Sequence, residues 1–178
     1  MSQIIYPILF EFALFWLMFA VAIIDIQQGV IPDRLNLAIF TLGVLAAAFM
    51  PSSSLVERLV ASFLGGGLLW LVRAGYRGVR GYDGIGMGDV KFVGAAGVWA
   101  GCESTPVALA LSCVIALAFV AIAIASGAEI GARRRSPFGP CLAAGFFIVA
   151  TVQLFTGQDI IDAILAFPAF PPMSIPAP

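Results

Sequence analysis

The chain has no histidine among its 178 residues. That excludes histidine-based nucleophilic triads, zinc proteases with paired histidine ligands, and haem held by imidazole. Charge is scarce too, with Asp, Glu, Lys and Arg together making up 11% of residues and the net charge standing at -1. A near-neutral chain offers no basic surface for nucleic acid. The three cysteines, Cys102, Cys113 and Cys141, stand singly. With no CxxC pair, neither a zinc ribbon nor a dithiol redox site is expected, and each cysteine reads as a small packing residue. The first apolar stretch lacks a basic leading region and a small-residue cleavage site, so it reads as a retained helix rather than a cleavable signal peptide.

What is abundant is apolar, at 61% hydrophobic residues with a mean hydropathy of +1.05. Soluble domains carry roughly a quarter charged residues and just under half apolar ones. This chain has too little polar surface to face water on all sides, so a lipid bilayer is the expected partner. Apolar runs separated by short polar or glycine-rich breaks predict an all-α integral membrane protein of about six transmembrane helices. They fall at 4–24, 35–50, 56–72, 89–100, 106–125 and 138–155, with a polar, glycine-rich break over 73–88. The fourth is short for a full span. Gly65, Gly66 and Gly67 in the third allow close helix approach. Residues 1–166 read as one membrane domain, and the proline-rich stretch 167–178 reads as a loose tail. The pattern carries no signal of oligomeric state.

Basic residues orient the bundle. Arg34, Arg73, Arg77, Arg80, Lys91, Arg133, Arg134 and Arg135 fall in loops on one face, and only Arg58 falls on the other. By the positive-inside rule, that face is cytoplasmic. The arginine triplet reads as a topology anchor against anionic lipid.

Against this background two acids stand out. Asp25 follows the run Val21-Ala22-Ile23-Ile24 at the cytoplasmic end of the first helix. Asp89 opens the fourth helix within Gly86-Met87-Gly88-Asp89-Val90-Lys91. The topology puts both on one membrane face at similar depth. A carboxylate beside hydrocarbon is disfavoured in its charged form, and a second one nearby disfavours it further, so such a pair can share a proton. One member then acts as general base on water while the other, protonated, polarises a scissile carbonyl. This chemistry needs no cofactor and no metal. Glycines beside Asp89 let an extended peptide backbone come close. Other readings use the same residues: Asp89 as a helix cap, or both acids as a relay in a proton-coupled transporter or channel subunit. Asp33 and Asp83 are cytoplasmic-loop acids, with Asp33 also placed to cap the second helix. Glu11 lies deep in the first helix and should face the bundle interior.

The segment Gly86-Met87-Gly88-Asp89 followed by Val90-Lys91 resembles the GxGD signature of type IV prepilin peptidases, a family of membrane aspartic proteases. Asp25 with Ile31-Pro32-Asp33 looks like that family's first-aspartate segment. The stretch from Gly97 through Val98, Trp99 and Ala100 to Gly101 is similar to the small-and-aromatic stretch that the family has after its GxGD. Pro137-Phe138-Gly139-Pro140 resembles its PFGP turn. Together these extend from about residue 21 to 147, in the family's order. The resemblance implies an aspartic endopeptidase of the bacterial inner membrane that removes the basic leader of prepilins or pseudopilins, for pilus or secretion systems, at the cytoplasmic face. It implies Asp25 and Asp89 as the catalytic pair, Gly86 and Gly88 as site-shaping residues, and Lys91 close enough to influence the site's charge. Asp33 and Asp83 would suit a basic leader. Many members also methylate the new N-terminus through a preceding region with paired cysteines. This chain resembles the short form without it, so peptidase activity alone is expected. Gln27 and Gln28 stand where members often carry a basic residue.

Overall fold

The structure is a computed structural model that describes residues 2–49, 54–126 and 138–156. The arginine triplet, Pro137 and the proline-rich tail lie outside the described residues. Those described form five helices: α1 Ser2–Gln28, α2 Asp33–Phe49, α3 Leu55–Arg80, α4 Met87–Ala125 and α5 Gly139–Thr156. Three of them, α1, α3 and α4, are long and apolar enough to cross a membrane, and α5 is a shorter apolar helix. Large apolar side chains point outward, including Phe12, Trp16, Phe63 and Leu117, each more than half exposed. A bilayer accommodates such a surface and water does not.

The all-helical architecture is as expected, but the helices number five among the described residues. The expected fourth and fifth join into α4, which is broken at Gly101, where the backbone turns to φ 71° and ψ 175°. Only glycine adopts that region without strain. The break frees carbonyls of the preceding turn, and neighbouring helices take them up. Arg58 of α3 donates from Nη1 to the Val98 and Trp99 carbonyls, both at 3.0 Å. Gln153 of α5 donates from Nε2 to the Ala100 carbonyl at 2.8 Å. The one basic residue expected away from the other eight thus serves as a hydrogen-bond donor between helices.

A second difference lies at the end of α3, which runs two turns past the expected stop at residue 72. Gly75 and Gly78 are poor helix formers, yet the helix persists to Arg80 and closes with Gly81 in the left-handed conformation, its N–H donating to the Arg77 carbonyl at 2.8 Å. Arg77 and Arg80 in the last turn suit the negative end of the helix.

The first half of α4 is the central rod. From Val90 to Gly101 nearly every residue is buried. Phe92 meets Phe146 of α5 edge to face at 5.9 Å between centroids. Trp99 donates from its indole to the Ile39 carbonyl of α2 at 2.9 Å. Against α3 the contact is backbone to backbone: a Cβ on Gly66 would lie 3.1 Å from Gly94 Cα, and one on Gly97 would lie 3.1 Å from Ser62 Cα. The expectation that the α3 glycines permit close approach therefore holds for Gly66, and for Gly65 beside Thr105, while Gly67 faces open space. Leu14, Met18 and Val21 of α1 complete the core with Leu142 and Val149 of α5. Glu11 does turn inward, where Thr151 of α5 donates a hydrogen bond to it.

Candidate active site

Asp25 lies in the last turn of α1, and its residue is only 6% exposed. Its carboxylate Oδ2 accepts the Gly139 N–H at 2.9 Å. Gly139 is the first residue of α5, so the carboxylate sits where the unpaired amides of a helix N-terminus point, a natural seat for an anion. The fit is tight: a Cβ on Gly139 would come within 2.6 Å of Oδ2 and 2.9 Å of the Asp25 Cβ. Just after Asp25 the chain leaves α1 through Gly29, which adopts φ 65° and donates its N–H to the Asp25 carbonyl at 2.8 Å.

Asp89 comes from the other side. It is the third residue of α4, whose N-cap, Gly86, has an extended backbone. The Gly86 amide hydrogen-bonds the Asp89 carboxylate, and Asp25 lies close enough for its charge to act on Asp89. A helix acid reaching back to the N-cap amide is the return half of a capping box. A Cβ on Gly86 would lie 3.0 Å from Asp89 Oδ2. Gly88 serves a different contact: a Cβ there would be 3.3 Å from the Ile31 backbone nitrogen. That glycine lets the start of α4 lie against the α1–α2 loop, just after the turn that carries Asp25.

The other sequence candidates are arranged differently. Lys91 donates to both oxygens of Asp33, at 2.7 and 2.8 Å, joining α4 to the start of α2. Its ion-pair partner is therefore Asp33 and neither Asp25 nor Asp89. Asp83 is occupied as well, by Arg73 at 2.6 Å and Arg77 at 3.7 Å. Among the described residues no cation forms an ion pair with Asp25 or Asp89, and no group of three metal-ligating side chains gathers. Gly139 does not stand out in the sequence as a site element, since it lies 114 positions from the carboxylate it touches; the PFGP motif is its only signal.

Two carboxyls from different helices, within reach of each other's charge at one end of an apolar bundle, are equipped for acid–base chemistry on water or a carbonyl. Known sequences place the chain in a family. The model of the type IV leader peptidase family matches residues 12–121, a stretch that contains both acids. The chain is 30% identical over 134 residues to the leader peptidase HopD of Escherichia coli, covering 75% of this chain and 86% of that protein. It is 31% identical over 165 residues to the prepilin leader peptidase/N-methyltransferase of Dichelobacter nodosus, covering 92% of this chain and 54% of that one. The enzyme of the same name from Pseudomonas aeruginosa is 32% identical over 156 residues, with 87% and 52% covered. The chain thus spans about half the length of the two longer relatives. No solved structure matches it. The chain belongs to the type IV leader peptidase family, a family of peptidases, and its apolar helices mark it as a multi-pass membrane protein.

Proposed function

We propose that this chain is an aspartic endopeptidase of the bacterial inner membrane that removes the basic leader from prepilin-type substrates at the cytoplasmic face. In this reading Asp25 and Asp89 share a proton across the site. The ionised member takes a proton from water, and the protonated member donates to the scissile carbonyl as the tetrahedral intermediate forms. Collapse of that intermediate returns a proton to the leaving amine. The observation that carries the reading is that Asp25, in the last turn of α1, acts by its charge on Asp89, in the first turn of α4, where that turn packs on Ile31 just after α1. Gly86 and Gly139 support it by clearing side-chain bulk around the acids, and Gly88 by letting the first turn of α4 pack on Ile31. Arg34, Arg73, Arg77, Arg80 and Lys91 lie toward that same end, which supports the cytoplasmic assignment. The break at Gly101 would let α4 serve as two membrane segments, giving six in all.

The test is co-expression with a prepilin and a gel-shift assay for the shortened product. Asp25→Asn and Asp89→Asn should each leave the leader in place while the protein still inserts in the membrane. Normal shortening by either variant would remove the dyad from the mechanism.

A further inference from the structure

The α3–α4 connection is glycine-rich, with Gly81, Gly84 and Gly86 making up half of residues 81–86. Such a segment has much conformational freedom to lose on folding. The α4 N-cap that ends it makes no side-chain capping bond. The acid it must position, Asp89, sits in the first helical turn, where backbone amides lack partners within the helix. Something outside the segment has to hold it.

α3 supplies the hold. Arg73, Tyr76 and Arg77 are spaced by three and four, which puts them on one helix face, and the connection folds back onto that face. Arg73 donates from Nε to the Ile85 carbonyl at 2.9 Å and from Nη2 to the Asp83 carboxylate at 2.6 Å. Arg77 approaches the second Asp83 oxygen at 3.7 Å. Between these two anchor points Gly84 lies flush on the Tyr76 ring, where a Cβ would come within 2.6 Å of Cε1. Tyr82 closes the row, edge-on to Tyr76 at 5.6 Å with the two hydroxyls 3.0 Å apart. Three consecutive residues, Asp83, Gly84 and Ile85, are thus gripped from one side. The next residue is Gly86, whose amide binds the Asp89 carboxylate. Arg73 is the centre of the grip: its side chain is only 15% exposed, and two different nitrogens of its guanidinium hold two different residues. A lysine ammonium is a point donor on a longer, looser stem and cannot reproduce that fork.

We propose that Arg73 is a positioning residue for Asp89: its fork pins residues 83–85 to α3 and so sets where the first turn of α4 stands against Asp25. The proposal rests on the peptidase reading of the site, because it concerns the alignment of the two acids. A displacement of about 1 Å in a reacting group can cost up to ~100-fold in rate. Arg73→Ala leaves both carboxyls in place and lets the turn drift, so kcat should fall about 10-fold or more with KM little changed. Arg73→Lys should recover part of the loss, since it can keep one of the two contacts. Gly84→Ala removes no charge and no hydrogen-bonding side chain. It drives a methyl group into the Tyr76 ring and should lower kcat in the same way.

These variants, with wild type and Asp89→Asn, are assayed in detergent micelles on purified Pseudomonas aeruginosa prepilin. Hydrogen exchange of the segment 86–92 is followed on the same samples. The proposal expects a kcat loss in Arg73→Ala and Gly84→Ala, partial rescue by lysine, and faster exchange of 86–92 with α3 residues 55–70 unchanged. Wild-type kcat in Arg73→Ala, or a loss confined to KM with lysine no better than alanine, overturns it. If wild type and Asp89→Asn alike leave the prepilin uncut, the peptidase reading of that substrate fails. Exchange then decides for the grip itself: faster exchange in Arg73→Ala upholds it, and unchanged exchange overturns it.

Discussion

The two ends of this bundle treat buried polar groups in opposite ways. At the end near Gly101, a broken helix releases carbonyls into an apolar interior, and each described one is taken up: Val98 and Trp99 by Arg58, Ala100 by Gln153. Thr105 donates to the Gly101 carbonyl at 2.6 Å. At the other end, two carboxyls lie within reach of each other's charge, Asp25 with the Gly139 amide and Asp89 with the Gly86 amide. The cations nearby in sequence are engaged elsewhere, Lys91 with Asp33 and Arg73 with Asp83. Buried polar groups that are fully partnered rigidify a fold, while like charges left together are kept at a stability cost and concentrate at working sites. In the proposed reading one end is structural and the other chemical, and substitutions at each end should separate accordingly.

The largest effect outside the acids themselves should come from Gly139→Ala. The added methyl would press on the Asp25 carboxyl at 2.6–2.9 Å, and relief requires moving either α5 or the acid. Overpacking of this kind costs about 1–3 kcal/mol. Cleavage should fall by about 100-fold, because a displacement of about 1 Å at the acid is enough for that. Initial rates and thermal unfolding in micelles, read together, check that activity is lost far beyond stability.

Arg58→Ala should invert the pattern. It strands two buried carbonyls and should lower stability by about 1–3 kcal/mol for each group left unsatisfied. The rate per folded molecule should stay within about 3-fold of wild type, well under the ~100-fold or more that loss of a general acid or base brings. A loss of turnover without a drop in unfolding temperature would collapse the distinction between the ends.

The smallest effect is expected at the Lys91–Asp33 pair. Its side chains are 47% and 72% exposed, and exposed pairs contribute at most ~1 kcal/mol, falling with salt. Lys91→Met should shift stability by less than that and leave a salt-independent remainder near zero, read from unfolding at low and high ionic strength.

Much of this arrangement is legible in the chain itself. Asp25 and Asp89 stand out as charges against apolar runs, and the glycines beside Asp89 mark close backbone approach. The helix order follows from hydropathy alone. Three features are hidden because they belong to tertiary structure. Gly101 reads in the sequence as a gap between two helices, and its backbone does break the helix there, but the distant side chains that take up the freed carbonyls leave no local signal. Arg58 counts in the sequence as a stray positive charge, and its true partners lie 40 and 41 positions on. The helical stretch of α3 past residue 72 defies local propensity at Gly75 and Gly78, and is held by contacts from Arg73 and Tyr76 to the following loop. Lys91 and Asp33 each read in the sequence as a separate site residue, whereas the fold pairs them with each other.

The central claim is that chemistry resides in the two acids and not in the polar node at the far end. Intact-mass analysis of a prepilin incubated with wild type, Asp25→Asn, Asp89→Asn and Arg58→Ala at equal folded concentration tests it most directly. The account predicts a single mass loss corresponding to the leader with wild type and Arg58→Ala, and full-length substrate with either asparagine variant. A leader-sized mass loss at the wild-type rate with Asp25→Asn or Asp89→Asn would contradict it.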